Sequence, residues 1–367
     1  MSRTVFILGA GASKQAGAPV MKEFLRFASN IQKTQIDITS NELKCFTEVF
    51  EAIHILKEFK NKTKIDFNNI EEVFAAFEMG WLTGRLGEFP PKKLSRLRKS
   101  MKKVIVKTIE ANVKFPVKQY ITSAAPPYDD FVKLTRSIHR NEGGIRQISV
   151  ITFNYDVALE HALYMEIEHT GVDYNLLNKP HITNRLKVFK LHGSINWVKC
   201  RGCGEIVAWD LFDYLLHHPI DSSSESERES SFELLGISKN LHQFTHCKGK
   251  RVETDPVIIP PTWNKTEYSQ QLSGVWKGAV KELSEAENIF AIGYSLPPTD
   301  QFFKHFFFVA NMEPTSIKRI WVFNPDKKVN RRFRNLLGPT LKERYRFFKN
   351  TFEEAIKVLK GEFKIVK

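Results

Sequence analysis

Apolar and polar positions along this chain change period several times. Val5 to Leu8 form a short continuous apolar run that reads as a buried strand. The run opens directly into Gly9-Ala10-Gly11-Ala12-Ser13, and apolar-periodic positions resume by Phe24. From Met21 to Glu142 the spacing is helical. Phe46, Val49, Phe50, Ile53 and Leu56 step by three and four, as do Ile70, Val73, Phe74 and Phe77. Ala124-Ala125-Pro126-Pro127 interrupts the pattern, Tyr128 to Arg140 reads as another helix, and Gly143-Gly144 marks a turn. Strand-like runs then return at Ile148–Phe153, Val188–Leu191, Val257–Ile259, Asn288–Ser295 and Ile317–Asn324, with helical stretches such as Val157–Met165 and Trp276–Ala286 between most of them. Continuous apolar strands alternating with helices predict an α/β fold, a Rossmann-like parallel sheet with helices on both faces.

This pattern divides the chain. Segments 1–20, 146–199 and 257–326 are expected to form the Rossmann-like domain. Residues 21–145 form a large helical insertion, and 327–367 a basic helical tail. Between Cys200 and Trp263 the alternation fails, and 200–256 reads as a small Cys/His module. The run Ser222–Ser231 within it holds too little apolar material to order itself and is expected to be a mobile loop.

With 42% hydrophobic and 26% charged residues among 367, the composition is that of an ordinary soluble globular protein. The 29 Phe point to a large aromatic core or a buried subunit interface, and a homo-oligomer is expected. No signal peptide and no run of roughly 18–20 apolar residues is present, which argues against a membrane protein and for the cytoplasm. Four Cys in a chain this long argue against a disulfide framework. The net charge of +14 is concentrated at Lys92–Lys107 and Lys327–Arg346. In the first stretch Leu94, Leu97, Met101, Val104 and Ile105 fall at helical spacing, which predicts an amphipathic helix with a solvated lysine face. The alternative is contact with nucleic acid or an acidic partner.

The chemistry gathers at strand ends. A strand that feeds a glycine turn and then a helix makes an anion cradle suited to a pyrophosphate. Lys14 stands where a G-x-G-x-x-G motif would have its third glycine, and no G-K-[ST] follows, which excludes a P-loop. Polar clusters follow four other strand-like runs: Asn154-Tyr155-Asp156, His192-Gly193-Ser194, Gly293-Tyr294-Ser295 and Asn324-Pro325-Asp326. A parallel sheet would bring them to one rim. Each also has a plainer reading: Asn154 as a helix N-cap, Asp156 as a first-turn acid favoured by the helix dipole, His192 as a turn residue. Cys200-x-x-Cys203 has the spacing of a structural zinc knuckle.

Taken in order, Gly9–Ser13, Ala16-Gly17-Ala18-Pro19, Phe153–Asp156, Lys190–Ser194, Ile292–Leu296 and Asn324–Asp326 resemble the sirtuin-type NAD-binding fold, and most closely its divergent branch in bacterial antiphage defence. The resemblance implies that Gly9, Ala10, Gly11, Ala12 and Ser13 line the pyrophosphate of NAD, with Gly293, Tyr294 and Ser295 at a second phosphate turn and Asn324 on the adenosine ribose. It implies that Asn154 and Asp156 position the nicotinamide ribose, a water and the carboxamide, and that His192 is the catalytic histidine. Phe153 replaces the family's Gln. Val20-Met21-Lys22 replace the D-F-R of the deacetylases, and no counterpart to their acetyl-lysine tunnel is found. The resemblance therefore implies an NAD+ hydrolase, an antiviral effector switched on by a partner, a nucleic acid or assembly. A HerA-type ATPase or a short Argonaute is the kind of partner implied. The alternatives are an NAD-dependent protein deacylase and a non-catalytic module that senses NAD or ADP-ribose. The family's zinc module has a second Cys pair. Here Cys247 is present, Lys250 stands at its partner position, and His246 or His242 would complete a Cys3His set. Without zinc the module is a degenerate ribbon.

Overall fold

A computed structural model of the chain describes residues 3–58, 65–118, 121–140, 147–166, 171–176, 185–218, 232–259, 269–298, 300–312 and 317–365. The Gly143-Gly144 turn and the Ser222–Ser231 run lie outside the described residues.

Seven strands form one sheet: β1 (Arg3–Leu8), β2 (Gln147–Thr152), β3 (Val172–Asp173), β4 (Leu186–Lys190), β5 (Asn288–Ile292), β6 (Arg319–Phe323) and β7 (Tyr345–Phe348). Their spatial order is β7-β6-β5-β1-β2-β4-β3, and every neighbouring pair is parallel. The chain moves outward from β1 to one edge, returns, and builds the other half from β5 to β7. The direction reverses between β1 and β5, the switch point at which such sheets open a crevice at their carboxyl edge.

Strict alternation explains why both faces are buried. Val5, Ile7, Ile151, Phe189, Ile289 and Val322 point to one side. There they meet Leu272, Val275, Ala279 and Leu283 of helix Ser269–Ser284, and Phe303, Phe306 and Phe307 of helix Gln301–Ala310. Phe6, Leu8, Val150, Val188, Phe290 and Phe323 point to the other, against Phe131 of helix Tyr128–Arg140 and Phe352 of helix Phe352–Glu362. Phe6 meets Phe131 edge-on at 5.0 Å and Phe290 at 5.5 Å, so much of the phenylalanine content fills this core.

Helices Met21–Thr34, Ser40–Lys57, Ile70–Thr83 and Pro91–Glu110 pack on one another and continue the second core. The last carries the first basic stretch, with Leu94, Leu97, Met101, Val104 and Ile105 buried at the predicted spacing. Its lysine face is not wholly in water: Lys107 is buried and donates to Asp37 Oδ2 at 2.9 Å. No described helix is long and apolar enough to cross a membrane.

Four local expectations differ from the structure. Within the stretch read as helical, Phe115–Lys118 pairs antiparallel with Ile121–Thr122 and with Phe232–Glu233, a small sheet that joins the helical insertion to the Cys/His module. Residues 10–17 are successive turns, and the first helix starts only at Met21, so its N-terminus does not abut the glycine turn. Val257–Ile258 pairs antiparallel with Gly193–Ser194 and lies outside the central sheet. The segment after Asp326 is not helical throughout: Tyr345–Phe348, an aromatic run interrupted by Arg346, supplies the edge strand of the sheet.

Candidate active site

A continuous row of backbone hydrogen bonds crosses the carboxyl rim of the sheet. Asn324 N donates to Phe348 O, Gly293 N to Phe323 O, Gly9 N to Ile292 O, Phe153 N to Leu8 O and Leu191 N to Thr152 O, all at 3.0–3.1 Å. The residue after each of five adjacent strands is thereby fixed to its neighbour. The polar clusters predicted at strand ends stand side by side for this reason.

At the switch point the turns after β1 and β5 touch. Gly11 N donates to Gly293 O at 3.0 Å, and a Cβ on Gly9 would lie 2.5 Å from Tyr294 Cα. Gly293 has φ +65°, and a Cβ there would lie 2.4 Å from Ala12 N. Only glycine permits this approach, for both steric and conformational reasons. The amide N–H groups of Gly9, Gly11, Ala12 and Ser13 are engaged inside the protein, the last two with Gly9 O and Ala10 O. Among the described residues Ala10 N–H has no such acceptor, and Ala10 and Gly11 are the half-buried members of the turn. The turn is thus a tightly braced surface with Ala10 and Gly11 outermost, rather than a ring of free donors.

Asn154 follows β2 and is buried. Its Nδ2 donates to Ser13 Oγ at 2.9 Å, and Ser13 Oγ lies 2.8 Å from Tyr128 Oη. That fixes the amide with Oδ1 as a buried oxygen without a hydrogen-bond partner. An orphaned buried acceptor costs on the order of 1–3 kcal/mol and invites a donor from a ligand or water. Tyr128, from the helical insertion, was not found from sequence because its segment matches no motif. Burial, then the charge of Asp156, push its phenol well above the usual tyrosine range, so it stays protonated.

Asp156 is buried, and its Oδ1 accepts from Ala158 N at 3.0 Å in the turn before helix Ala158–Met165, whose N-cap is Val157 and whose first-turn acid is Glu160. His192 follows β4 and is buried. Its ring lies 5.2 Å from that of Phe153, edge to face, and 6.1 Å from that of Tyr155. Ile259 N donates to its carbonyl at 2.8 Å. Asn154 and His192 therefore flank one aromatic turn on neighbouring strands.

Tyr294 turns away from the rim. Its ring stacks on Phe153 at 4.1 Å and 5°, and its Oη donates to Asp300 Oδ2 at 2.8 Å. Only its backbone belongs to the cradle. Ser295 is half-buried, and its carbonyl accepts from Arg332 Nη1 at 2.9 Å. Asn324 Nδ2 donates to Tyr294 O at 3.4 Å while its Oδ1 accepts from Asp326 N at 2.9 Å, tying two strand ends together.

Behind the rim Lys190 Nζ donates to Asp156 O at 2.5 Å and to Glu160 Oε1 at 2.7 Å, with both side chains almost completely buried. Lys190, directly after the apolar pair Val188-Phe189 and before Leu191, was the available signal for this brace. Lys190→Met should destabilise the fold by about 3–5 kcal/mol, because Glu160 is left as an uncompensated buried charge. Urea unfolding measures this, and the double change Lys190→Met/Glu160→Leu should recover most of the loss.

Cys200, Cys203, His246 and Cys247 bring one ligand atom each to within 4.8 Å of one another. Cys200 Sγ lies 3.6 Å from Cys247 Sγ, and Cys203 Sγ lies 3.7 Å from His246 Nδ1. Tetrahedral zinc with Zn–S near 2.3 Å requires ligand separations of about 3.8 Å, so the set fits. Burial pushes the Cys200 thiol up, but backbone N–H groups of Cys203 and Gly202 and the side chains of His246 and Cys247 hold it down to about 6. His242 is exposed, its Nδ1 2.9 Å from Lys239 O, and is not part of the cluster.

No family model matches this chain, and no curated protein matches it. Several solved structures are similar in outline. A crystal structure of a Sir2 homolog–NAD complex has a TM-score of 0.43 and 15% identity, over 99% of this chain and 89% of that one. A Sir2–p53 peptide–NAD+ complex gives 0.40 and 13%, over 99% and 94%. A point mutant of a Sir2 homologue with ADP-ribose gives 0.44 and 13%, over 99% and 92%. At TM-scores below 0.5 these likenesses decide nothing about chemistry here.

Proposed function

We propose that this protein is a sirtuin-like NAD+ hydrolase that cleaves the nicotinamide–ribose bond with water, giving nicotinamide, ADP-ribose and a proton. The observation that carries the reading is the junction of the two glycine turns at the switch point, with the unsatisfied Asn154 Oδ1 and the His192 ring on the next two strand ends. A diphosphate fits against Ala10 and Gly11, where the backbone is outermost and lacks a side chain at Gly11. Nicotinamide leaves a charged pyridinium as a neutral amide, so the ribose develops oxocarbenium character. An amide oxygen at Asn154 accepts a hydrogen bond from the attacking water and adds no full charge of its own. Asp156 Oδ2 accepts from the carboxamide N–H, while its Oδ1 keeps the loop in place. An imidazole at His192 holds the ribose hydroxyls and takes up the proton that the attacking water releases.

The motif order supports a role as an antiphage effector, and a constitutive NAD+ hydrolase would deplete its own cell. The activity is therefore gated, through a partner ATPase or Argonaute, nucleic acid held by that partner, or self-assembly. The sequence resemblance is the sole support for those partners.

The reading is tested by mass-resolved products after incubation with NAD+, alone and with an acylated peptide. Equal amounts of nicotinamide and ADP-ribose without peptide support it. Nicotinamide release that requires the peptide overturns it in favour of a deacylase.

Cys200, Cys203, His246 and Cys247 would hold one zinc ion, which supplies a structural cross-link between two chain turns and no step of the reaction. Metal analysis of the purified chain should give about one zinc per chain, and Cys203→Ser should lower retention by about tenfold or more after dialysis against a mild chelator. Zinc content indistinguishable from background would refute the site.

A further inference from the structure

At the outer edge of the sheet, beside β3, lies a cavity of about 550 Å³ that takes no part in the rim. Sites for small molecules run to roughly 300–1,000 Å³. Its walls are of two kinds. Tyr164, Tyr174 and Phe212 give aromatic surface, Tyr164 and Phe212 meeting at 5.7 Å and 61°. Glu160, Asp173, Asp210 and Asp213 give carboxylates, with Arg185 the one basic side chain among the lining residues. In a chain of net charge +14 this is a local reversal of sign.

The carboxylates are not equally engaged. Asp210 caps helix Leu211–His217 through Phe212 N at 2.9 Å and lies 4.0 Å from Arg185 Nη1. Asp173 accepts from Asn175 N at 2.8 Å. Glu160 is 5% exposed, and both Lys190 and Tyr174 donate to the same oxygen, Oε1. Among the described residues none donates to Oε2. A nearly buried carboxylate with one oxygen unused, in a cavity walled by aromatic faces, matches a cation that carries N–H donors and apolar carbon.

We infer that this cavity is a second binding site, separate from the nucleotide rim, for a small organic cation of the alkylammonium or guanidinium class. Its ammonium or guanidinium reaches Glu160 Oε2, its methylenes lie along Tyr164, Tyr174 and Phe212, and Asp213 meets its outer end. The site does not depend on the NAD+ reading. It does connect to the rim, because Glu160 shares Lys190 with the Asp156 carbonyl.

Calorimetric titration of the full chain with spermidine and with agmatine, at about 0.15 M salt to screen diffuse attraction, tests the inference. Saturable one-site binding of either probe is expected. Phe212→Ala and Asp213→Asn lie at exposed positions and should each weaken it about tenfold with the unfolding midpoint unchanged. Glu160→Gln should weaken it further. Absence of saturable binding by both probes overturns the proposal, as does unchanged affinity in both surface variants. A blocked lysine, Nα-acetyl-lysine methylamide, distinguishes a free amine from a protein side chain. If it binds more tightly than both amines, the site takes a peptide and the proposal fails.

Discussion

His192→Asn is expected to lower NAD+ cleavage by about a hundred- to ten-thousand-fold, the range over which a positioned acid–base group contributes. The unfolding midpoint should move by no more than about 4 °C, since asparagine keeps a polar group of similar reach at a buried site. The imidazole sits at the end of β4 with its backbone carbonyl pinned by Ile259 N and its ring against Phe153. Asn154→Ala should lose activity on a similar scale by a different route. It removes the unsatisfied Oδ1 and leaves Ser13 Oγ and Tyr128 Oη paired with each other. Initial rates with NAD+ and thermal melts of the same preparations check both. If either variant keeps more than about a tenth of wild-type turnover, its side chain is not part of the chemistry.

Gly293→Ala should be the methyl group that most directly separates the two glycine turns. A left-handed backbone at φ +65° costs a non-glycine residue roughly 1–2 kcal/mol. The added Cβ would also lie 2.4 Å from Ala12 N and 2.6 Å from Gly11 C, which are backbone atoms that cannot swing aside. The two turns must separate, and the junction of β1 with β5 opens at the point where the diphosphate is proposed to lie. A total destabilisation of about 3–5 kcal/mol is expected, at the upper end for a point substitution. NAD+ or ADP-ribose binding should be lost even under conditions in which the variant stays folded. Denaturant unfolding and ligand titration of the same sample separate the two effects. Unchanged nucleotide affinity would show that the ligand lies elsewhere.

The alternation of short continuous apolar runs with longer helical stretches was enough to read the parallel sheet from the sequence, because strands buried on both faces are apolar throughout rather than at every second position. Val5–Leu8, Ile148–Phe153 and Asn288–Ile292 are such runs, and each stands in the sheet. Tyr345–Phe348 was missed because an edge strand covered on fewer sides tolerates Arg346 between its aromatics. Val257–Ile258 carries the same apolar signature but is turned against Gly193–Ser194, a difference of tertiary pairing that composition does not record.

The site was legible in part. Strand-end position predicted that Asn154, His192 and Gly293 would share one rim, since parallel strands all deliver their carboxyl ends to it. What each side chain does there was not legible. Tyr294 reads as a rim residue from its neighbours, yet its ring is drawn into the core by Phe153 and Asp300. Tyr128 lies 26 residues before Asn154 in the chain, and only the fold brings it to Ser13. The choice of His246 over His242 likewise depended on a two-strand ribbon, Thr245–His246 with Lys250–Arg251, that aims one histidine at the thiols.

The most direct measurement is a crystal structure of the full chain with ADP-ribose. The account predicts the diphosphate against Ala10, Gly11 and Gly293, with the free ribose carbon directed toward Asn154 Oδ1 and the His192 ring. Density for the ligand anywhere but this rim, or with its diphosphate reversed so that the adenosine occupies the space beside Asn154 and His192, would contradict it.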